Sequence, residues 1–444
     1  MKNMTNKTVK ALFILLITLS ASFSSAMGTK PNPRQAVEKN LRKFVEAGGV
    51  PGLTAALITP EGITYYSYGV FAEEPGKKLD EKTQFRVASI SKLLTTATMG
   101  DMLREKKFQL DDRADKYLPE QFKLPTKGGK AVTIRTLVSH TSGLPAPKKE
   151  GWGDAYPNWD ALLKEWKAGK LETIPGTKFR YSNEGMSLLG HVMEIIDGHS
   201  YEQLVKARVL GPLGMKDTWV TPPGEKVHKP YLFAHAGGFS SNAVDLAKFA
   251  AGAVGQAPKS LLASLELTYT PQGKVRDGRP LHLGWNEEGT PRRLSHCGRN
   301  HAYLGIDLDK KVAVVIICTD QTTLIGDIGN ASVSILGGSK VDFPKPRRVI
   351  KLAPQTLEKY TGVYLEKTGG LVTVTSNSSL GVLELSFAGQ GKSQMWAEKE
   401  DSYYCKEWAC DMKFPALVNG QAPGVSVIMP HWTGEYTRTV SGKK

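Results

Sequence analysis

The 444-residue chain is poor in cysteine, and after residue 26 it has no apolar run long enough to span a bilayer. Its 4 cysteines exclude a small scaffold held together by disulfides, and the lack of a CxxC pair argues against structural zinc. Repeats and low-complexity tracts are also missing. The remainder, with 40% hydrophobic and 23% charged residues, is typical of a globular chain of about two or three domains.

The cysteines divide into two pairs with different expectations. Cys405 and Cys410 are close enough in sequence to bridge a hairpin in an oxidising compartment. Cys297 and Cys318 lie in or beside strand-like segments, and we expect them to be buried thiols.

Acidic residues are outnumbered by basic ones. The chain has 43 Asp and Glu against 58 Lys and Arg, which gives a formal net charge of +15. A surplus of this kind suits an anionic partner such as nucleic acid, a membrane surface or the bacterial cell wall. Composition leaves the choice among these three open.

The N-terminal residues narrow that choice. Three lysines precede an apolar run, Ala11 to Phe23, which ends at the small residues Ser24, Ser25 and Ala26. This pattern predicts a signal peptide over residues 1–26, and the run is shorter than the roughly 20 residues of a membrane span. A permanent N-terminal anchor is the alternative, which the small-residue site disfavours. Losing the three lysines lowers the net charge from +15 to +12. We therefore predict a periplasmic or secreted protein with no permanent membrane span and no nucleic-acid partner.

Strand-like and helix-like patterns divide the chain that follows. Residues 34–48 have helical spacing, and residues 49–70 resemble two strands joined by a turn at Pro60-Glu61-Gly62. Helical patterns then alternate with Pro- and Gly-rich loops from about 89 to 260. Strands return at 280–320 and a closing helix follows. Strands from both ends around a helical middle predict an α/β sandwich beside a helical subdomain.

The C-terminal part has a different pattern. Residues 338–354 are basic and rich in proline, which is typical of a linker. Segments such as GLVTVT, VLELSFAG and GVSVIMP then follow at short intervals. They predict a small antiparallel β-barrel over residues 355–444.

The first candidate for catalysis is the pair Ser89 and Lys92 in FRVASISK. A serine in the first turn of a helix has a free backbone N–H that can bind an oxyanion. A lysine three residues later lies on the same face, and burial lowers its pKa so that it can act as a base. The alternative is a plain N-cap serine with a solvated lysine, because the SxxK spacing alone is common.

Two later segments add polar groups of the same kind. Tyr181 and Asn183 follow a Pro-Gly loop that leads into a helical run, where a tyrosine can carry a proton and an asparagine can hold an amide. His296 and Gly298 lie on the first of the late strands, and the N–H of Arg299 could complete an oxyanion hole. Taken singly, these would be capping, turn or core residues.

Together, the motifs SxxK, YxN and HxG resemble the penicillin-recognising serine hydrolases, in the branch of class C β-lactamases and DD-peptidases. Further segments match this branch: TIRTLVSHTSGLP, PGTKFRYSNEGMSLLG, GPLGMKDT and AGGFSSNAVDLAKF. The resemblance covers roughly residues 34–336. It implies a β-lactamase/transpeptidase-like antiparallel sheet sandwiched by helices in a domain over 27–337, while residues 355–444 resemble lipocalin-like C-terminal domains.

The resemblance also implies roles for the residues. Ser89 would be the acylated nucleophile, Lys92 its general base, and Tyr181 the group that passes a proton to the leaving group. Asn183, His296, Gly298 and Arg299 would bind substrate, the last together with Ser89 through oxyanion-hole N–H groups. His140, in SHTSG, matches a family position that we interpret as structural. Neither a metal nor a cofactor is implied.

Two departures from the family bear on the substrate. His296 replaces a lysine and carries only a partial charge at its ordinary pKa, and Cys297 replaces a threonine that binds a substrate carboxylate. We predict a hydrolase that forms an acyl-enzyme and acts like a DD-carboxypeptidase on peptidoglycan peptides, with β-lactams as candidate ligands. The alternatives are a β-lactamase, a D-aminopeptidase, a carboxylesterase, or a non-catalytic protein that binds the cell wall or β-lactams.

Overall fold

A computed structural model of the chain describes residues 32–71, 76–146, 158–220, 232–273, 280–387, 392–406, 410–429 and 432–439. The predicted signal peptide, residues 1–26, lies outside these ranges. Within them, no helix is both long enough and apolar enough to cross a membrane.

The helices and strands of the described residues are as follows. The α-helices are α1 Pro33–Glu46, α2 Ser91–Arg104, α3 Ile134–Val138, α4 Trp159–Ala168, α5 Asn183–Asp197, α6 Tyr201–Val205, α7 Gly211–Leu213, α8 Ala234–Gly237, α9 Ala243–Ala251, α10 Lys259–Tyr269, α11 Ile325–Leu336 and α12 Pro354–Leu357. Tighter 3₁₀ turns lie at Ala88–Ile90, Ala114–Lys116 and Glu358–Tyr360, and wider π turns lie at Lys206–Leu210 and Gly252–Gln256. The strands are β1 Gly52–Thr59, β2 Gly62–Gly69, β3 Phe85–Arg86, β4 Ser240–Ser241, β5 Asn286–Glu288, β6 Thr290–Gly298, β7 Ala302–Asp307, β8 Val312–Cys318, β9 Gly362–Glu366, β10 Leu371–Asn377, β11 Val382–Phe387, β12 Lys392–Lys399, β13 Ser402–Cys405, β14 Asp411–Lys413, β15 Gly424–Met429 and β16 Trp432–Arg438.

Strands from the two ends of the first domain meet in one antiparallel sheet. Its order is β2-β1-β8-β7-β6-β5, so the N-terminal hairpin pairs directly with the last strand of the domain. The predicted α/β fold with an antiparallel sheet is confirmed.

Helices cover both faces of this sheet, which explains why every residue of β1 is buried. Successive side chains of a strand point to opposite faces. Leu53, Ala55 and Leu57 accordingly pack with α1 and α11, whereas Ala56 and Ile58 belong to a second cluster with α2, α9 and α10. The sheet is therefore the middle layer between two helical layers.

The predicted helical subdomain has a core of its own. Apolar residues of α3, α4 and α5 pack there with residues of the long connections, and Trp166 and Leu189 are fully buried. This core meets the sheet domain along α2, whose Met99 and Met102 belong to it. The two cores thus meet at the helix that follows Ser89.

The C-terminal strands form a closed antiparallel barrel, as predicted. Strands β9 to β16 pair in sequence and β16 pairs back with β9. Its interior is filled by aromatic and aliphatic side chains, including Tyr364 and Tyr403. Cys405 and Cys410, the candidate disulfide, are buried in this core as thiols.

The barrel contacts the first domain near the end of β6. The side chain of Asn300 donates to the carbonyl oxygen of Lys406 at 3.1 Å, and the Lys406 ammonium lies 3.0 Å from the Asp320 carboxylate. The connection between the first domain and the barrel, residues 339–353, forms neither helix nor strand.

Candidate active site

Ser89 lies in the 3₁₀ turn Ala88–Ile90, which leads directly into α2. The residue before it, Ala88, has φ of 44°, in the left-handed region that residues other than glycine seldom adopt. The turn is held by a backbone hydrogen bond from Val87 to Phe239 (3.0 Å) and by the fully buried side chain of Ile90. Packing therefore holds the Ser89 hydroxyl at the beginning of a helix in a backbone geometry that the sequence did not predict.

Lys92 is completely buried directly beneath this serine. Its ammonium donates to Ser89 Oγ at 3.0 Å, to Asn183 Oδ1 at 2.7 Å and to the carbonyl oxygen of Ala236 at 2.6 Å. Burial lowers the pKa of Lys92 to about 7, although the negative charge of Glu184 opposes the shift. At neutral pH a large fraction of the lysine is therefore neutral and able to accept the serine proton.

Tyr181 approaches the same oxygen from the other side. Its hydroxyl donates to Ser89 Oγ at 2.9 Å, and the Lys92 ammonium lies 4.8 Å from the centre of its ring. Burial raises the pKa of Tyr181 to about 12. The hydroxyl is therefore protonated at neutral pH and can deliver a proton.

His140 braces the segment that carries Tyr181. Its ring lies 4.5 Å from the Tyr181 ring, its Nδ1 accepts from the N–H of Ser182 at 3.1 Å, and its carbonyl accepts from Arg180. Burial and the charge of Lys92 lower the pKa of His140 to about 3, so the ring is neutral. This placement agrees with a structural interpretation of His140.

Asn183 opens α5, and the local sequence explains why. Ser182 caps the helix, because its hydroxyl accepts the N–H of Gly185 at 2.9 Å. The next side chain, Asn183, is thereby directed to Lys92. In the structure its amide oxygen contacts the lysine, whereas the sequence pointed only to a substrate amide.

His296 and Gly298 lie on β6 beside this group of residues. The His296 ring is buried, and its Nδ1 donates to the carbonyl oxygen of Cys297 at 2.8 Å, which leaves Nε2 without a proton. Burial and the charge of Lys92 lower the pKa of His296 to about 4. The expectation that His296 is partly charged at neutral pH is therefore wrong, because the sequence does not reveal burial.

Gly298 lets β6 approach the serine turn. A Cβ atom at this position would lie 2.2 Å from the carbonyl oxygen of Val87. Arg299 follows with φ of 50°, beyond the last paired residue of the strand. The backbone N–H groups of Ser89 and Arg299 thus flank this close approach, and they remain the proposed oxyanion donors.

Three arginines lie in or directly after β6, and Arg299 is the one that follows Gly298. Arg292 pairs with Asp309 and Arg293 with Asp307, at the opposite end of β6. The Arg299 side chain is exposed. Of these three arginines, only Arg299 lies at the end of β6 that carries His296 and Gly298.

Activity should rise with pH through the pKa of Lys92. If the neutral amine is the base, kcat/KM for a neutral ester should increase about tenfold per pH unit below 7 and level off above it. The fall that deprotonation of Tyr181 would cause lies near pH 12. Initial rates from pH 5 to 9 measure the profile. A rate that does not change over this range would mean that Lys92 is not the titrating base.

The sequence did not reveal the backbone carbonyl groups that help to hold Lys92 in place. The Ala236 carbonyl is a backbone atom, so no residue type marks it. Thr95 donates to the carbonyl of the preceding residue, His235, at 2.6 Å. The segment AGGFSSN, which begins at Ala236, matched the family in the sequence, but the sequence alone did not show what it contacts.

Fold and site together define the class. A serine hydroxyl hydrogen-bonded to a buried lysine and to a tyrosine, at the start of a helix beside an antiparallel sheet, belongs to a serine hydrolase of the β-lactamase fold. The Beta-lactamase family matches residues 37–331, which is more than half of the chain. The protein belongs to this family.

Individual relatives are distant. The chain is 27% identical over 266 residues to the D-alanyl-D-alanine-carboxypeptidase/endopeptidase AmpH of Escherichia coli K12, covering 57% of this chain and 68% of that protein. It is 26% identical over 443 residues to penicillin-binding protein 4* of Bacillus subtilis, covering 87% and 94%.

Solved structures show the same fold. A β-lactamase/D-alanine carboxypeptidase from Pseudomonas syringae superposes with a TM-score of 0.60 at 22% identity, covering 70% of this chain and 99% of that chain. An octameric penicillin-binding protein homologue from Pyrococcus abyssi gives 0.57 at 21% identity, covering 90% and 99%.

Proposed function

We propose that the protein is an exported hydrolase that cleaves acyl-D-amino acid bonds in peptidoglycan peptides, in the manner of a DD-carboxypeptidase. The observation that carries the proposal is the fully buried Lys92, which contacts Ser89 Oγ at 3.0 Å and has a pKa near 7. Ionisable groups with a shifted pKa beside a nucleophile are typical of catalytic sites, so the arrangement favours turnover over a non-catalytic role.

The chemistry runs through an acyl-enzyme. Lys92 takes the proton of Ser89 as its oxygen attacks the substrate carbonyl, and the oxyanion is held by the N–H groups of Ser89 and Arg299. The C–N bond breaks as the Tyr181 hydroxyl passes a proton to the departing amine, and the proton that Lys92 took from Ser89 then returns to Tyr181. A water molecule then hydrolyses the ester on Ser89, with the same groups moving its proton. A β-lactam would acylate the same oxygen.

The choice of peptidoglycan peptide rests on three further points. Relatives of this chain include a D-alanyl-D-alanine-carboxypeptidase/endopeptidase, and the match to penicillin-binding protein 4* covers 87% of the chain. The predicted mature charge of +12 suits an anionic cell wall. We infer that Arg299, which is exposed, receives the terminal carboxylate of such a peptide. Export itself is inferred from residues 1–26.

A second candidate, a carboxylesterase, is favoured by His296. Because its imidazole is neutral above about pH 4, the third motif supplies no cation for a substrate carboxylate. A cavity of about 130 Å³ between Tyr181 and His296 is lined partly by apolar groups, among them Phe179, Leu281 and Trp285. It would accept a neutral acyl or alcohol group.

One experiment separates the two candidates. The mature protein is incubated with muropeptides ending in D-Ala-D-Ala, with a cephalosporin and with a short-chain ester, and the products are identified by mass spectrometry. Release of terminal D-alanine supports the carboxypeptidase. Hydrolysis of the ester alone would instead support the carboxylesterase.

The pH dependence of the two reactions provides a further prediction. Because His296 is neutral, the ratio of kcat/KM for the peptide to kcat/KM for the ester should stay constant between pH 5.5 and 8.

A further inference from the structure

Behind the catalytic lysine lies a buried polar group that the chemistry above does not use. We propose that His235 is a positioning residue, which Glu194 anchors so that the Ala236 carbonyl stays on Lys92. This inference rests on the proposed role of Lys92 as base and adds to it the support that keeps the base in place.

The backbone around His235 contacts α2 at two successive carbonyl groups. The Ala236 carbonyl accepts from Lys92 Nζ at 2.6 Å, and the His235 carbonyl accepts from Thr95 Oγ1 at 2.6 Å. Thr95 Oγ1 also lies 2.7 Å from the hydroxyl of Tyr201. A shift of the short helix α8, which carries both carbonyls, would therefore move a ligand of the lysine.

The His235 side chain has one polar partner among the described residues. Its Nε2 lies 3.5 Å from Glu194 Oε2, an ion-pair distance, and neither ring nitrogen makes a hydrogen bond within the described residues. The ring is buried and lies 4.3 Å from the ring of Tyr201. Burying a polar group is unfavourable unless a polar partner lies nearby, so Glu194 determines the position of the His235 ring.

Helix α5, which carries Glu194, also leaves space for the His235 ring. Gly190 lies inside α5, where glycine is less favourable than alanine. A Cβ atom at residue 190 would lie 2.0 Å from Cδ2 of His235. The glycine thus provides the space that brings the imidazole against α5 and to Glu194, which lies one turn further along this helix.

Glu194 is itself held by the backbone of Tyr201, and it has a longer contact with His191. Its Oε1 accepts from the N–H of Tyr201 at 2.7 Å, and its Oε2 lies 3.3 Å from Nδ1 of His191. Contacts with His191 and His235 lower the pKa of Glu194 to about 2 against the opposing effect of burial, so its carboxylate is ionised at neutral pH. His191 offers a matched control, because it shares the carboxylate but is not adjacent in sequence to a ligand of Lys92.

The test measures acylation by an activated ester in His235→Phe, which keeps the ring volume and removes the contact with Glu194. We expect the acylation rate constant to fall roughly 10- to 100-fold, with the dissociation constant of the ester unchanged, because a displaced base slows only the chemical step. Glu194→Ala should cause the same loss. Glu194→Gln should restore most of the rate, since an amide can serve both Tyr201 and the imidazole. His191→Phe should stay close to the wild type.

A double-mutant cycle separates positioning from general damage to the fold. In a Lys92→Ala background, His235→Phe should produce no further loss, because it acts through the lysine. A further loss of the same size there, an equal loss in His191→Phe, or an unchanged rate in His235→Phe would overturn the proposal. If Lys92→Ala itself has no effect, the proposed role of the base fails instead, so the two failures are distinguishable.

Discussion

Replacing Lys92 by alanine is expected to slow acylation by about 10²- to 10⁴-fold, the usual contribution of a positioned general base. Among the described residues, Ser89 Oγ has hydrogen bonds only to Lys92 and Tyr181, and the tyrosine, with a pKa of about 12, is a poor base at neutral pH. Lys92→Arg should be as slow, because a guanidinium does not deprotonate. The measurement is the rate of ester formation on the protein, followed by rapid quenching and mass spectrometry.

The control for this experiment is Lys116→Ala, which removes an exposed lysine paired with Asp112. It should acylate at the wild-type rate. Because nucleophile and base act as a unit, the double variant Ser89→Ala with Lys92→Ala should be little worse than Ser89→Ala alone. Acylation of Lys92→Ala within about threefold of the wild type would contradict the assignment of the base.

Gly298→Ala should reduce kcat by about 10²- to 10³-fold, the effect of losing an oxyanion-hole donor. The added Cβ would meet the Val87 carbonyl at 2.2 Å and Ile90 Cγ1 at 3.2 Å, so β6 must move away from the serine turn. The N–H of Arg299, which follows Gly298, would then move away from the serine turn. Steady-state kinetics with the neutral ester, together with a thermal unfolding curve, measure the effect.

Gly326 provides a matched control glycine. It lies in α11, which packs on the sheet, and the Cβ of Gly326→Ala would lie 3.7 Å from Sγ of Cys297 on β6, an ordinary contact. This variant should keep wild-type kinetics. If Gly298→Ala also does so, the strand does not contribute to the oxyanion hole in the proposed way.

Much of this architecture could be predicted from the sequence. The hairpin over residues 52–69 and the barrel strands follow from local alternation and turn residues, which are properties of short segments. The three motifs could be found because SxxK, YxN and HxG occur in order with matching segments around them. The structure then places Lys92 and Tyr181 within hydrogen-bond distance of Ser89 Oγ.

What could not be predicted depends on the environment created by the fold. His296 has an ordinary imidazole in the sequence, and only its burial beside Lys92 makes it neutral. The left-handed backbone of Ala88, His140 and Arg299 is imposed by packing at residues with no sequence signal for it. Backbone ligands such as the Ala236 carbonyl carry no mark at all in a sequence.

The most direct measurement of the central claim is the site of covalent modification. The mature protein is treated with a β-lactam or an activated ester, digested and analysed by mass spectrometry. We predict a single adduct on the peptide that contains FRVASISK, located at Ser89 and absent from Ser89→Ala, which should also have lost hydrolysis. An adduct at Ser91 or Cys297, or undiminished hydrolysis in Ser89→Ala, would contradict the account.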